Sequence, residues 1–135
     1  MSETLYDRVG GEAFFMALVE RFYAAVEHDP VVRPLYPEDL TPSARHLALF
    51  LGQYWGGPPA YNEARGHPRL RMRHMPFAIA QAERDAWMRH MRDAVESSDA
   101  SLGDKQVLLA YLDMAATSLI NRVPHEAGTG GASHP

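Results

Sequence analysis

Cysteine is absent from the 135 residues, which excludes disulfides, zinc–cysteine sites, iron–sulfur clusters and a thiol nucleophile. Lysine is almost absent as well, because Lys105 is the only one among the 13 basic residues and the others are arginines. No apolar run approaches the ~20 residues that a membrane-spanning helix needs. The formal net charge of −4 lacks the positive excess typical of general nucleic-acid binding, so we expect no such partner.

The chain has the length of one ordinary domain, long enough to bury a proper core without cross-links. Its first residues have neither a basic leader nor an apolar stretch, so we expect no signal peptide. The lack of cysteine also fits a reducing compartment, and we expect a cytoplasmic protein. Residues 124–135 are rich in glycine, alanine, serine and histidine without an apolar pattern, which predicts a disordered tail after a domain spanning 1–123.

Apolar residues recur with helical spacing and strand patterns are nearly absent, which predicts an all-α domain. A short turn at 4–9 ends at Gly10, and a longer helix is predicted from Thr41, as a capping hydroxyl before Pro42, to Gly56. The other predicted helices span about 12–27, 80–97 and 104–122. Residues 60–76 show no periodicity and are predicted to form a long loop of the kind that is often functional.

Seven histidines are present, but no two have the spacing of a helical metal-binding pair such as His-Glu-x-x-His. The chain also lacks a glycine-rich phosphate loop and a nucleophilic serine motif. Single-histidine chemistry remains, and haem ligation is its main example in a helical protein. His74 lies within the predicted loop, although a lone histidine there is more often a surface residue.

Three residues combine a large apolar body with one polar hydrogen: Tyr23, on the stripe of the second helix, Tyr36, in a turn, and Trp87, in the middle of a later helix. If they converged on one apolar cavity, they would suit a polarised diatomic ligand. The alternative for Tyr23 is a hydroxyl that bonds a backbone carbonyl. Periodicity does not decide between these readings.

Several segments occur together in one order and spacing, and as a set they resemble the truncated haemoglobins of group II. They are Leu5-Tyr-Asp-Arg-Val-Gly-Gly11, Arg21-Phe-Tyr23, Leu35-Tyr-Pro-Glu-Asp39, Gln53-Tyr-Trp-Gly-Gly-Pro58, Gly66-His-Pro-Arg-Leu-Arg-Met-Arg-His74, Glu83-Arg-Asp-Ala-Trp87 and Asp113-Met-Ala-Ala116. The resemblance spans about residues 5–121. It implies a two-over-two helical sandwich around haem b, in which the proximal helix is reduced to a loop and a single turn.

By position, the resemblance implies that His74 is the proximal iron ligand. It places Tyr23, Tyr36 and Trp87 on the distal side and Ser43 at the distal gate. Leu47 matches the position just above the iron. The remaining implied cofactor contacts are wall residues Phe50, Phe77 and Met114, and propionate partners Arg73, His46 and Tyr61.

The implied function is an oxygen-binding globin with slow ligand release, taking O₂, NO, CO or other diatomic ligands at a five-coordinate iron. A redox enzyme of oxygen, nitric oxide or peroxide chemistry, served by an unidentified reductase, is the alternative. A haem-free helical interaction module is a third class. Whether the protein is an enzyme, and whether it forms a homodimer, stays open at this point.

Overall fold

The computed structural model describes residues 3–122, and the predicted tail at 124–135 lies outside them. The described part is helical and contains no strand, which confirms the all-α prediction. No helix in this range has the length and apolar character needed to cross a membrane. The helices are α1 (Leu5–Val9), α2 (Glu12–Val26), α3 (Thr41–Tyr54), α4 (Ala60–Arg65), α5 (Leu70–His74), α6 (Gln81–Glu96) and α7 (Leu102–Ser118), with one 3₁₀ turn at Arg33–Leu35.

Two helix pairs form the body of the fold: α2 packs on α3, α6 packs on α7, and α2 also contacts α6. The apolar stripe of α2 drives this arrangement, because Phe15, Leu18, Val19, Phe22 and Val26 are at most 1% exposed. Leu51 of α3, Met91 and Val95 of α6 and Leu108 of α7 complete the same core cluster. This is the two-over-two sandwich, and its open side is where the chain between α3 and α6 runs.

Helix α1 packs closely against the end of α3 at two glycines, Gly56 and Gly57. Tyr6 donates its backbone N–H to the Trp55 carbonyl at 3.1 Å, and its ring covers Gly57. A Cβ built on Gly57 would meet the Tyr6 ring at 2.5 Å, and one on Gly56 would meet Thr4 at 2.6 Å. The close approach of α1 to the end of α3 therefore requires residues without side chains here.

The start of α3 differs in detail from the prediction. Thr41 is the first helical residue rather than the cap, and its hydroxyl makes no capping bond. Its backbone N–H instead donates to the Asp39 carboxylate at 3.0 Å. The hydrogen-bond acceptor for the first turn of α3 is thus Asp39, two residues before Thr41. A Thr-Pro pair alone does not indicate this acceptor.

The prediction of a mostly looped segment at 60–76 is wrong for the larger part of it, because two short helices, α4 and α5, form there. Each is at most six residues long, too short to show a periodic stripe. Gly66, at φ 78°, ends α4, and Arg69, at φ 46°, leads into α5. Both lie in the left-handed region, so the chain turns sharply between the two helices.

Candidate functional site

A cavity of about 340 Å³ is lined by residues from α2 to α7 and from the turns between them. Eleven of the twelve residues implied for the site line it, so the structure brings together side chains spread over most of the sequence. They are Tyr23, Tyr36, Ser43, His46, Leu47, Phe50, Tyr61, Arg73, His74, Phe77 and Trp87.

Met114 is the exception. Its side chain is 59% exposed and does not line the cavity, so the expectation that it forms pocket wall is corrected. Helix α7 contributes Tyr111, Leu112, Ala115 and Ala116 instead, and Leu119 follows directly after its end; these positions share one face of the helix. Position 114 falls outside that face, although it lies within the same sequence segment.

His74 ends α5 with its imidazole facing the cavity. Its Nδ1 lies 2.7 Å from the Leu70 carbonyl oxygen. Because a carbonyl only accepts, Nδ1 carries the hydrogen in this bond, which leaves Nε2 with a free lone pair. A backbone contact of this kind sets the ring orientation and basicity of a metal-bound histidine.

No cluster of three His, Asp or Glu side chains within residues 3–122 could hold a metal ion. His74 thus faces the cavity as a lone histidine, which would suit a cofactor whose own atoms fill the other positions around a metal. That donor set is the one haem requires.

Arg73, expected to pair with a propionate, is largely engaged with its own segment. Its Nε donates to the Pro68 carbonyl at 2.7 Å and its Nη2 to the Arg65 carbonyl at 2.8 Å. The guanidinium thus ties the turn between α4 and α5 together. Nη1 makes no hydrogen bond to the described residues, so it is the nitrogen left for a propionate.

The two other expected propionate partners differ in their surroundings. His46 accepts from Arg65, whose Nη1 lies 3.2 Å from Nδ1. Burial, together with the nearby positive charges of Arg65, Arg45 and Arg73, lowers the pKa of His46. Tyr61 is only 5% exposed, and its ring is edge-on to Phe50, with centroids 5.5 Å apart. It therefore forms part of the buried wall of the cavity rather than its solvent-exposed edge.

The three polar aromatic residues do converge. Trp87 donates its Nε1–H to the Tyr36 hydroxyl at 3.1 Å, and the rings of Tyr23 and Tyr36 meet edge-on at 5.3 Å. Phe22 backs both Tyr23 and Trp87. Burial raises the pKa of both tyrosines, so their hydroxyls stay protonated and able to donate at neutral pH.

Sequence reasoning missed two residues whose side chains hold the backbone around the cavity. Glu83 lines it while its carboxylate accepts the Ala80 backbone N–H at 2.9 Å at the start of α6. Asn121, after α7, donates to the carbonyl of His74. The acidic residue in the first turn of α6 could have indicated the first contact, but nothing local marks the second.

The cavity fits haem b on these observations. Its volume lies in the range of roughly 300–1,000 Å³ usual for ligand and cofactor sites. A histidine with a free Nε2 faces it from α5, hydrogen-bond donors face it from α6 and the turn before α3, and arginine stands at its edge. These are the contacts that the iron, a diatomic ligand and the propionates each need.

Comparison with known proteins gives consistent results. The sequence model of the bacterial-like globin family matches residues 4–121. A group 2 truncated haemoglobin of Bacillus subtilis is 40% identical over 116 residues, covering 86% of this chain and 88% of that protein.

Solved structures agree with this. Haemoglobin from Chloroflexus aurantiacus superposes with a TM-score of 0.88 at 49% identity, covering 90% of this chain and 100% of that one. The truncated oxygen-avid haemoglobin of B. subtilis superposes with a TM-score of 0.83 at 39% identity, covering 88% and 100% respectively.

Proposed function

The chain belongs to the group II truncated haemoglobins of the bacterial-like globin family, and on this premise we propose that it holds oxygen at a five-coordinate haem iron and releases it slowly. Haem b is its cofactor, and small diatomic molecules such as O₂ are the ligands that the family takes. When bound, haem supplies a ferrous iron that binds such ligands reversibly. The rest of the proposal concerns what the residues around the cavity do.

His74 would hold the iron through Nε2, since Nδ1 is engaged with Leu70. Leu47 and Phe50 would cover the macrocycle from α3, and Phe77 from the segment after α5. His46 and Arg73, which both line the cavity, would pair with the propionates, and Nη1 of Arg73 would make that contact. Ser43, at the start of α3, is small enough to leave a short entry route for a diatomic ligand.

The observation that carries slow release is the bond from Trp87 to Tyr36. An indole N–H only donates, so in this bond the Tyr36 oxygen accepts. The hydroxyl hydrogen of Tyr36 is therefore free to point elsewhere in the cavity. A polarised ligand is a stronger acceptor for it than a neutral neighbour, and such a charge-assisted bond contributes about 1.5–3 kcal/mol.

A bond of this size slows the escape of oxygen, because every ~1.4 kcal/mol corresponds to a factor of ten. The B. subtilis relative is described as oxygen-avid, which supports the same behaviour in this chain. Tight holding is poorly suited to a carrier that must unload. It suits a protein that retains oxygen for a second reactant, such as nitric oxide.

The test combines spectra with stopped-flow kinetics on the haem-loaded protein. We expect a Soret band, a ferrous five-coordinate spectrum, and an oxygen dissociation rate that rises when the distal donors are removed. His74→Gly should lose the histidine-ligated spectrum and regain it with added imidazole, whereas His28→Ala, at an exposed position, should not change it. Oxygen release that is fast in the native protein, or unaffected by loss of the distal hydroxyls, would contradict the proposal.

A further inference from the structure

After α7 ends, the chain turns back and meets the segment that follows His74. Asn121 donates its side-chain Nδ2 to the carbonyl of His74 at 3.2 Å and to that of Phe77 at 2.9 Å. Its Oδ1 accepts the backbone N–H of Ile79 at 2.9 Å. Every hydrogen-bonding group of the amide is thereby engaged with residues 74–79.

The backbone adds to the same contact. The Ile79 carbonyl accepts from the N–H of Asn121 at 2.8 Å and from that of Arg122 at 3.0 Å. Asn121 lies 42 positions after Ile79 in the sequence, so these bonds join distant parts of the chain. The two segments are thus joined by two backbone hydrogen bonds to one carbonyl and by three hydrogen bonds of the Asn121 side chain.

The other hydrogen bonds at the end of α5 come from its own neighbourhood in the chain, residues 65–77, so Asn121 is the tie to α7. Helix α5 has five residues, and a helix so short is marginal without tertiary contacts. The residues that follow it are exposed, with Met75 at 60% and Phe77 at 41%. The terminal carbonyls of a helix have no partner within the helix; that of His74 accepts the Phe77 backbone N–H at 3.0 Å, and Asn121 supplies a second donor from the segment after α7.

We infer that Asn121 is the positioning residue of the proximal histidine: it fixes the His74 backbone relative to α7 and so sets how the imidazole meets the iron. The Leu70 carbonyl fixes the ring from one side, and Asn121 fixes the main chain from the other. Together these two contacts fix the orientation of the imidazole ring and how far it extends into the cavity. Without the amide, α5 can shift as a unit, and the imidazole shifts with it.

This inference rests on the proposed ligation by His74, and it is tested on the ferrous haem protein by the iron–histidine stretching band in resonance Raman spectra. Asn121→Ala should move or broaden that band and speed haem transfer to an apoglobin acceptor by about tenfold, the effect of losing hydrogen bonds worth ~1.4 kcal/mol. Asn121→Asp keeps an acceptor for Ile79 but sets a carboxylate against two carbonyls, so it should act at least as strongly. Asn121→Ser keeps one donor and should fall between Asn121→Ala and the native protein.

Arg21→Met is the matched control. Arg21 also joins two segments through a side-chain bond to a backbone carbonyl, donating to Ala94 at 2.9 Å, but it does not line the cavity. It should lower the melting temperature without moving the band. A native band position and native haem loss in all three Asn121 variants, or an equal band shift in Arg21→Met, would overturn the inference. If His74→Gly kept the band, the proposed ligation itself would fail, which is a separate outcome.

Discussion

The paired substitution Tyr36→Phe and Trp87→Phe probes the distal side most directly. In the structure the two residues share one hydrogen bond, with the indole as donor. Trp87→Phe removes that donor but leaves the Tyr36 hydroxyl able to donate to a ligand. Tyr36→Phe removes the hydroxyl but frees the indole N–H, which also lines the cavity. Each single variant therefore keeps one donor of this pair, besides Tyr23.

The magnitudes follow from that geometry. A charge-assisted bond contributes about 1.5–3 kcal/mol, but the remaining donor compensates for part of its loss, so each single variant should release oxygen about fivefold faster. The double variant keeps only Tyr23 of the three donors and should release oxygen on the order of a hundredfold faster. The excess over the product of the singles corresponds to a coupling of roughly 1 kcal/mol.

Stopped-flow displacement of oxygen by carbon monoxide measures these rates. Carbon monoxide release is the internal control, because that ligand is less polarised and should respond less. Tyr111→Phe removes a hydroxyl from the wall supplied by α7 and should leave oxygen release unchanged. If the single effects simply multiplied, the two donors would act independently. If Trp87→Phe alone matched the double variant, Tyr36 would only accept, and the reasoning would be refuted.

Three further predictions concern stability, each measured by thermal or denaturant unfolding. Gly57→Ala should cost about 1–3 kcal/mol because its Cβ meets the Tyr6 ring and a backbone oxygen, whereas Gly103→Ala, with no atom within 4 Å, should not destabilise. Arg69→Gly should stabilise by up to about 1 kcal/mol, because φ 46° strains a residue with a side chain; destabilisation would show that the arginine side chain outweighs the strain. The His90 hydrogen bond lowers the pKa of Asp29, so the stabilisation that Asp29→Asn removes should be complete above the ordinary aspartate pKa of about 4 and should be lost as the pH falls from there through the lowered pKa of the folded state; a constant difference down to acid pH would contradict this.

The long helices could be predicted because each buries one face. The stripe from Phe15 to Val26 predicts α2 to within one residue, and the Gly56–Gly57 pair marks the end of α3. The site residues could be named because the resemblance ties each to a segment in fixed order. Convergence of Tyr36 and Trp87, 51 residues apart, follows from that order and not from either residue alone.

The other features of the fold and the site could not be predicted from local sequence patterns. Helices α4 and α5 are too short to show periodicity, and α5 begins after a non-glycine residue in a left-handed conformation. Met114 was assigned to the wall by its segment, but the face of α7 turned to the cavity passes through Tyr111 and Ala115. Asn121 acts on a residue 47 positions upstream, and a single asparagine after a helix predicts nothing about so distant a partner.

Among the described residues, the main cluster of buried core residues contains no member between Leu51 and Ala86, although that stretch supplies His74, the proposed iron ligand. The main core cluster is therefore formed without this segment, several of whose side chains instead line the cavity proposed to hold the cofactor. Hydrogen exchange in the apoprotein should then be slow in α2, α6 and α7 and fast across residues 60–80, with protection appearing there on haem addition. Haem would then complete the hydrophobic interior of this fold, and cofactor loading and the folding of residues 60–80 should be thermodynamically coupled.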